Sequence, residues 1–390
     1  MGKKMTFTKN CYLDFAATTP VDQRVWEVMI PYFKDEFGNS SSIHMWGQKS
    51  EIALEKARIS VAKAINCYPN EVIFTSGGSE SDNLAIKGTA LARRRMTGAN
   101  KILISPVEHP AVFETARQLK DIFNFELEYL PVDEYGLVDP TLLEKYINPN
   151  IAMISAIYGN NEIGSINPIR ELAEICHKAH IPFHTDAVQA AAHIKMDVNR
   201  DQVDLLSIGA HKFYGPKGVG VLYVRSGTPI IPTQTGGSQE FALRAGTHNI
   251  PYIVGLAEAL NITCESIDRF HDRVIPLREM LIDSIIKQIP DTRLTGHHKQ
   301  RLPNHASFVF KHIDGNELLV LLDQQGFACS SGSACKVGSP KPSEVLLNLG
   351  FPPEWAAGSL RVTMGRTTTP EEIEAFLKIL PRIVKSLRKK

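Results

Sequence analysis

The chain has 390 residues, a hydrophobic content of 43%, a charged content of 22% and a formal net charge of +1. A chain of this length usually folds around more than one hydrophobic core, so we expect two domains. The small net charge argues against nucleic-acid or membrane partners, and no apolar run is long enough to span a bilayer. The composition therefore indicates a soluble globular protein.

Helical and strand patterns alternate through the first two thirds of the chain. Residues 48–65 and 79–95 have the apolar spacing of helices, and a short buried strand is predicted between them at 72–75. The later strand candidates are 101–105, 151–158, 181–185, 203–208 and 219–224. This alternation predicts an α/β fold with a mostly parallel sheet wrapped by helices.

The composition changes after the last of these strands. Residues 227–249 are rich in Gly, Thr and Pro, and a long helical stretch follows from about 251 to 289. Beyond it, 306–313, 326–331 and 359–364 predict strands of a smaller α+β domain, and 371–390 predicts its closing helix. A boundary within the long helix gives a large domain of residues 16–262 and a small domain of residues 1–15 and 263–390.

The six cysteines have neither the pairing nor the spacing of a disulfide scaffold or a zinc ribbon. We therefore predict no metal site and a reducing compartment. The N-terminus has lysines but lacks the apolar stretch of a secretory signal. These features favour a cytoplasmic protein.

Two polar residues follow buried strands in a pattern typical of pyridoxal-phosphate enzymes. Lys212 stands beside His211, between an apolar strand and a Gly-Pro-Lys-Gly turn, where it is suited to form a Schiff base with an aldehyde cofactor. Asp186 follows another strand, and a protonated pyridine nitrogen is a suitable partner for a buried acid. Open α/β sheets bind ligands at these strand ends.

Other polar residues are candidates for the same site. Gly78 and Ser79 open the helix after the first strand, where they either bind a phosphate or form a plain N-cap. His109 either stacks on the cofactor ring or caps a helix. Asn161 and Gln189 are able to donate to the phenolic oxygen of the cofactor, or else they fill loops.

With these residues in place, the chain closely resembles the cysteine desulfurases of the NifS/IscS type, within the class V aminotransferase-like group of pyridoxal-phosphate enzymes. Nine motifs occur in the family's order: YLDFAATTPV, TSGGSESDNLAIKG, EHPAV, NNEIG, DAVQ, AHKFYGPKG, RAGTHN, SSGSAC and SLRVTMGR. The resemblance implies a fold-type I transferase with a seven-stranded, mostly parallel sheet and a smaller α+β domain. It also implies a homodimer in which Thr247 of one chain reaches the cofactor phosphate of the other; otherwise Thr247 is a plain loop residue.

The resemblance further implies a role for each residue in the reaction. Lys212 carries pyridoxal 5'-phosphate and moves protons at the α-carbon of the L-cysteine substrate, with His109 as a further catalytic residue. Arg361, with Asn161, binds the substrate, and Arg361 clamps its carboxylate. Cys335 takes the sulfur as a persulfide, leaves L-alanine, and passes the sulfur to an acceptor such as an iron–sulfur scaffold.

Alternatives exist for Cys335 and for the activity as a whole. The residues around Cys335 also fit an inert thiol or a disulfide partner of Cys329. A selenocysteine lyase or an aminotransferase would use the same lysine and aspartate without Cys335. A non-enzymatic sulfur carrier would lack the yellow absorbance of the bound cofactor.

Two features depart from the family pattern. Many relatives have a phosphate-binding serine three residues before the Schiff-base lysine, where this chain has Gly209. Ser207 lies on the same face of the predicted strand, so it would replace that serine only from a distance. The chain also lacks the extended C-terminal tail of the housekeeping branch, which leaves the sulfur acceptor open.

Overall fold

The structure is a computed structural model that describes residues 10–332 and 342–389. Its strands are β1 (Cys11–Tyr12), β2 (Val72–Thr75), β3 (Lys101–Ile104), β4 (Glu126–Tyr129), β5 (Ile151–Ser155), β6 (Phe183–Asp186), β7 (Leu205–Gly209), β8 (Gly220–Val224), β9 (Thr292–Leu294), β10 (His305–Phe310), β11 (Phe327–Ala328) and β12 (Ser359–Thr363). Its helices are α1 (Gln23–Lys34), α2 (Met45–Ile65), α3 (Gly78–Thr97), α4 (Pro110–Phe123), α5 (Pro140–Tyr146), α6 (Ile169–Lys178), α7 (Ile250–Gln288), α8 (Gly315–Asp323), α9 (Glu344–Asn348), α10 (Pro353–Ala356) and α11 (Pro370–Leu387).

The main sheet has seven strands in the order β2-β8-β7-β6-β5-β3-β4. The strands from β7 to β4 run parallel, whereas β8 is antiparallel to both of its neighbours. Strands β5 and β7 are buried at every position because helices cover both faces of the sheet. The α/β class and the seven-stranded, mostly parallel sheet are confirmed.

Strand β4 was absent from the expected elements, and its sequence explains why. Its residues, ELEY, are partly or fully exposed along the edge of the sheet, so they lack a buried apolar run. The short strands β1 and β9 also carry too few residues to form a recognisable pattern. The remaining strand candidates correspond to β2, β3, β5 to β8 and β10 to β12.

A second, smaller group of strands lies beyond the main sheet. Strands β12, β10 and β9 form an antiparallel sheet, and β1 pairs in parallel with β11. Helix α7 joins the two groups. Its side chains from Ile250 to Ile262 belong to the core of the main sheet, and those from Val274 to Ile285 belong to the core around β10 and β12.

The division into residues 16–262 and a small domain of residues 1–15 and 263–390 stays a prediction, and the change of core along α7 supports it. Among the described residues, none of the helices has both the length and the hydropathy needed to cross a membrane.

Candidate active site

A cavity of about 510 Å³ lies at the carboxyl ends of the parallel strands, as expected for an open α/β sheet. The predicted site residues that line it are Gly78, Ser79, His109, Asn161, Asp186, Gln189, His211, Lys212 and Arg361. The fold therefore collects, in one place, residues that the sequence separates by almost three hundred positions.

Lys212 lies in a single 3-10 turn that directly follows β7. Its Nζ donates hydrogen bonds to the carbonyl oxygens of Ala16 and Ala17, at 2.7 and 2.8 Å. The side chain of Gln189 donates to the same Ala16 oxygen at 2.7 Å. The segment after β1 thus forms a wall of the cavity and holds the lysine amine at a fixed position.

Asp186 ends β6 and has only 4% of its surface exposed. Its Oδ1 accepts a hydrogen bond from the backbone N–H of Val188 at 2.9 Å. Burial raises the pKa of this carboxyl, while His109, the Val188 N–H and Lys212 oppose the rise. A further cation or hydrogen-bond donor beside Asp186 would stabilise its charged form.

Asp82, from α3, lies beside Asp186. One polar atom from each of Asp82, His109 and Asp186 lies within 4.8 Å of the other two. Oδ1 of Asp82 is buried without a hydrogen-bond partner in the described part of the chain, and burial together with Asp186 raises the pKa of Asp82 well above its ordinary value. Each of these two buried carboxyls disfavours the charge of the other, and the pKa is raised further for Asp82 than for Asp186, so a negative charge is favoured on Asp186.

His109 is both a helix cap and a cavity residue, so the two interpretations of it are compatible. Its Nδ1 accepts a hydrogen bond from the backbone N–H of Ala111 at 3.1 Å, at the start of α4. In the neutral ring the hydrogen therefore sits on Nε2. Burial lowers the pKa of His109, which favours this neutral form.

The turn before α3 has the backbone geometry of an anion site. Gly77 has a φ of +152°, a conformation that L side chains rarely adopt. A Cβ on Gly78 would lie 2.5 Å from Cγ2 of Val188, so this position also requires glycine. Gly78 and Ser79 line the cavity at the start of the helix, where N–H groups lack intrahelical partners.

Ser207 and His211 lie on either side of Gly209, where the family resemblance implies a phosphate-binding serine. Ser207 is fully buried, and its Oγ lies 3.0 Å from Nε2 of His184 rather than in the cavity wall. It is therefore committed elsewhere and does not replace the serine that the family resemblance implies at position 209. His211 does line the cavity, and burial with the neighbouring Lys212 lowers its pKa to about 4.

Arg361, on β12, forms the other end of the cavity and is almost completely buried. Its Nη1 donates to the carbonyl oxygen of Asn161 at 2.9 Å, and its Nη2 donates to Oδ1 of Asp14 at 2.9 Å. Its Nε is buried and has no partner among residues 10–332 and 342–389. A carboxylate that entered the cavity would supply the missing acceptor.

Glu162 lies next to this guanidinium. Its carboxylate accepts a hydrogen bond from the Ser343 hydroxyl at 2.5 Å. Burial raises the pKa of Glu162 to about 7, with Glu344 adding to the rise and Ser343 and Arg361 opposing it. The cavity therefore contains a carboxyl that changes charge near neutral pH.

The two remaining predicted residues have different positions. Thr247 is exposed and does not line the cavity of its own chain. Cys335 lies outside the described residues. Gly332 and Ser343, on either side of residues 333–341, do line the cavity.

Sequence reasoning overlooked Asp14, Asp82 and Glu162, although each stands within a motif quoted above. The available signal was an acidic residue directly beside a predicted site residue, as Glu162 is beside Asn161. The sequence alone does not tell whether such an acid faces solvent or the cavity.

Comparisons with known proteins connect this geometry to a family. The model of the aminotransferase class-V family matches residues 11–376. A relative from Dictyoglomus turgidum named cysteine desulfurase IscS is 47% identical over 97% of this chain and 96% of its own length, and one of the same name from Methanosarcina thermophila is 45% identical over 98% and 94%. A solved NifS-like protein matches with a TM-score of 0.89 and 35% identity, over 96% of this chain and 99% of its own.

Proposed function

The chain belongs to the aminotransferase class-V family as a pyridoxal-phosphate-dependent cysteine desulfurase, and from this premise we propose how its own residues carry out the reaction. The enzyme removes sulfur from L-cysteine, yields L-alanine and an enzyme-bound persulfide, and passes that sulfur on. The observation that carries the assignment of residues is the convergence of Lys212, Asp186 and the start of α3 on one cavity.

The cavity residues fit pyridoxal 5'-phosphate. Lys212 would hold the aldehyde carbon, because its amine lies at the cavity wall after β7. Asp186 pairs with the ring nitrogen, since a buried carboxylate with a raised pKa is stabilised by a cation. When bound, the cofactor withdraws electrons from the α-carbon of the substrate.

The other lining residues would make the remaining contacts in this proposal. His109 would stack on the ring, and Asn161 and Gln189 would donate to the phenolic oxygen. Gly78, Ser79 and His211 would bind the phosphate, the first two at the N-terminus of α3.

Lys212 also moves protons once its amine is free. The carbonyl oxygens of Ala16 and Ala17 accept hydrogen bonds from Nζ, so the amine has a fixed place from which to take and return a proton at the α-carbon. His109, which lines the same cavity, completes the set of catalytic residues that we propose. Arg361 binds the carboxylate of the substrate through its unpartnered Nε.

Cys335 is the sulfur acceptor in this proposal, and the other cysteines support that choice indirectly. Among the cysteines that the structure describes, burial raises the pKa of Cys67 to about 12 and also raises the pKa of Cys264 and Cys329. A thiolate is the attacking species, so these buried thiols are poor nucleophiles. The Cys335 thiolate attacks the substrate sulfur: the S–S bond forms as the C–S bond breaks, and the electron pair of that bond stays with the substrate carbon.

We also propose that the enzyme works as a homodimer. Large apolar side chains on and between α1 and α2 are exposed: Trp26, Phe33, Phe37, Ile43 and Trp46 are 47–93% accessible. Exposed apolar surface of this extent marks an interface. A second copy of the chain is the partner that also explains Thr247, which is exposed in its own chain and would reach the partner's phosphate.

The cytoplasm is the compartment in which we place the enzyme, because thiols stay reduced there. The sulfur acceptor is a protein such as an iron–sulfur scaffold. The relatives' shared name of cysteine desulfurase favours L-cysteine over selenocysteine as substrate and desulfuration over amino transfer. The structure titled SspA in complex with cysteine, at 33% identity and a TM-score of 0.79 over 90% of this chain and 98% of its own, adds a relative that binds this amino acid.

The test is anaerobic incubation of the purified enzyme with L-cysteine and a thiol reductant, with alanine and sulfide measured together. The parent enzyme should yield both in equal amounts. Cys335→Ala should lose both while keeping the absorbance of the bound cofactor. Cys329→Ala, which removes a half-buried thiol six positions away, is the matched control and should keep both products. Turnover by Cys335→Ala at the parent rate would overturn the role of Cys335.

A further inference from the structure

Asp14 is held next to Arg361 by the backbone on both sides. The Leu13 N–H donates to the Ala328 oxygen at 2.8 Å, and the Leu13 oxygen accepts from the Thr363 N–H at 2.8 Å. Asp14 itself forms a parallel bridge with Thr363, two residues from Arg361 on β12. The position of the Asp14 carboxylate is therefore set by a strand pairing and not by a mobile loop.

The contacts of the Arg361 guanidinium define its orientation. Its Nη2 donates a hydrogen bond to Asp14 Oδ1, and its Nη1 donates to the backbone carbonyl oxygen of Asn161, both at 2.9 Å. The side chains of Arg361 and Asp14 are only 4% and 17% exposed. Only Nε is left buried without an acceptor in the described chain, although the residue lines the cavity. Two fixed contacts and one open donor are the arrangement of a preorganised binding group.

We propose that Asp14 is a positioning residue for the substrate: it fixes the guanidinium of Arg361 so that the Nε–H faces the substrate carboxylate. The inference rests on the proposed role of Arg361 and adds Asp14 to it. Asn161 contributes through its backbone carbonyl, so a residue proposed to contact the cofactor also steadies the substrate group.

A carboxylate suits this task better than a neutral acceptor. A buried guanidinium without a counter-charge carries a large desolvation cost, which Asp14 offsets before any substrate arrives. An arginine side chain also has considerable rotamer freedom, and the ion pair removes that freedom in advance of binding. Asp14 does not contact the reacting atoms in this arrangement, so its loss weakens substrate binding more than it slows the chemical steps.

The experiment compares Asp14→Asn with the parent holoenzyme under anaerobic conditions. The variant should raise the KM for L-cysteine by about tenfold, the effect of weakening a charge-assisted hydrogen bond, and leave kcat within about twofold. Binding of L-alanine, which has the same carboxylate but no sulfur, should weaken by a similar factor when followed by the change in cofactor absorbance. This second readout does not depend on turnover.

Asp22→Asn is the matched control. Asp22 also pairs with an arginine near β12, Arg366, at 3.0 Å, but neither residue lines the cavity. It should leave the KM and L-alanine binding unchanged. If Asp14→Asn does not yield folded holoenzyme by thermal unfolding, Asp14→Glu takes its place, and its longer side chain should raise the KM less.

Arg361→Lys tests the proposed role of Arg361 in substrate binding separately from the role of Asp14. A raised KM in Arg361→Lys together with an unchanged KM in Asp14→Asn would overturn the role of Asp14 alone. An unchanged KM in Arg361→Lys would instead contradict the assignment of Arg361. A fall in kcat at constant KM in Asp14→Asn would show that Asp14 acts on the chemical steps, and it would also overturn the positioning role.

Discussion

The two ends of the cavity are built in different ways. At the end where we propose that the cofactor binds, called the cofactor end, Asp186 is the last residue of a strand, and Gly78 and Lys212 follow strands of the same sheet, so the hydrogen-bonded strands set their relative positions. At the substrate end, Arg361 depends on side-chain and carbonyl contacts with Asp14 and Asn161, from distant parts of the chain. The first end is rigid through topology, whereas the second is rigid only while its contacts persist. Substitutions should therefore affect cofactor binding and the chemical steps at the first end, and substrate affinity and pH response at the second.

The strongest test of the cofactor end is Lys212→Ala. It removes both the amine that binds the cofactor and the group that moves protons, so the rate of alanine formation should fall by at least about 10³-fold. Lys217→Ala is the matched control because Lys217 is exposed in the same turn. Alanine release is measured with excess cofactor present. A Lys212→Ala variant within tenfold of the parent would contradict the assignment.

Asp186→Asn is expected to have the next largest effect. Removing the charge from one partner of a buried ion pair typically costs about 3–5 kcal/mol, so the dissociation constant of pyridoxal phosphate should rise by about 10²–10⁴-fold. Asp82→Asn should change this constant by less than about threefold, because burial and Asp186 raise the pKa of Asp82 well above its ordinary value and so favour its neutral form. Equilibrium dialysis of both variants measures the difference. An equal rise of the dissociation constant in both variants would show that the two carboxyls share the charge.

The substrate end should show a pH dependence through Glu162. Its pKa in the folded protein is raised to about 7 from 4.5, so the folded state binds more protons between these values and stability falls as the pH rises through this range. The buried Glu162 carboxylate lowers the free energy of unfolding by about 3 kcal/mol above pH 7. This loss is absent below pH 4.5, the pKa of the group in the unfolded chain. Glu162→Gln should therefore be more stable than the parent by about this amount at pH 8 but not at pH 4.

Urea unfolding at the two pH values measures the free energies. Glu171→Gln, at an exposed position on α6, is the control and should follow the parent at both. A Glu162→Gln variant whose difference from the parent is the same at pH 4 and pH 8 would rule out this titration.

The same contrast explains what the sequence could predict. Buried apolar runs such as 72–75 and 219–224 mark strands, and parallel strand order then brings Asp186 and Lys212 together, so the cofactor end was accessible from pattern alone. The pairing of Asp14 with Arg361 spans 347 positions and depends on how the residues after β1 meet β12, which no local pattern encodes. The strand β4 was missed for a related reason, because edge strands need not be apolar.

The smallest expected effect is tighter binding of the cofactor phosphate after substitution of Gly209. Gly209 has φ −128° and ψ 120°, which any residue adopts, and a Cβ there would lie 3.4 Å from Val188 Cγ1 and 3.5 Å from the Gly78 nitrogen, in ordinary contact. Gly209→Ser should therefore fit and supply the hydroxyl that the family resemblance implies at this position, tightening pyridoxal-phosphate binding by about three- to tenfold, the worth of one hydrogen bond. Gly209→Ala supplies the Cβ without the hydroxyl and should leave the dissociation constant unchanged. Equal tightening by Ser and Ala would mean that backbone restriction, and not a phosphate contact, is what Gly209 lacks.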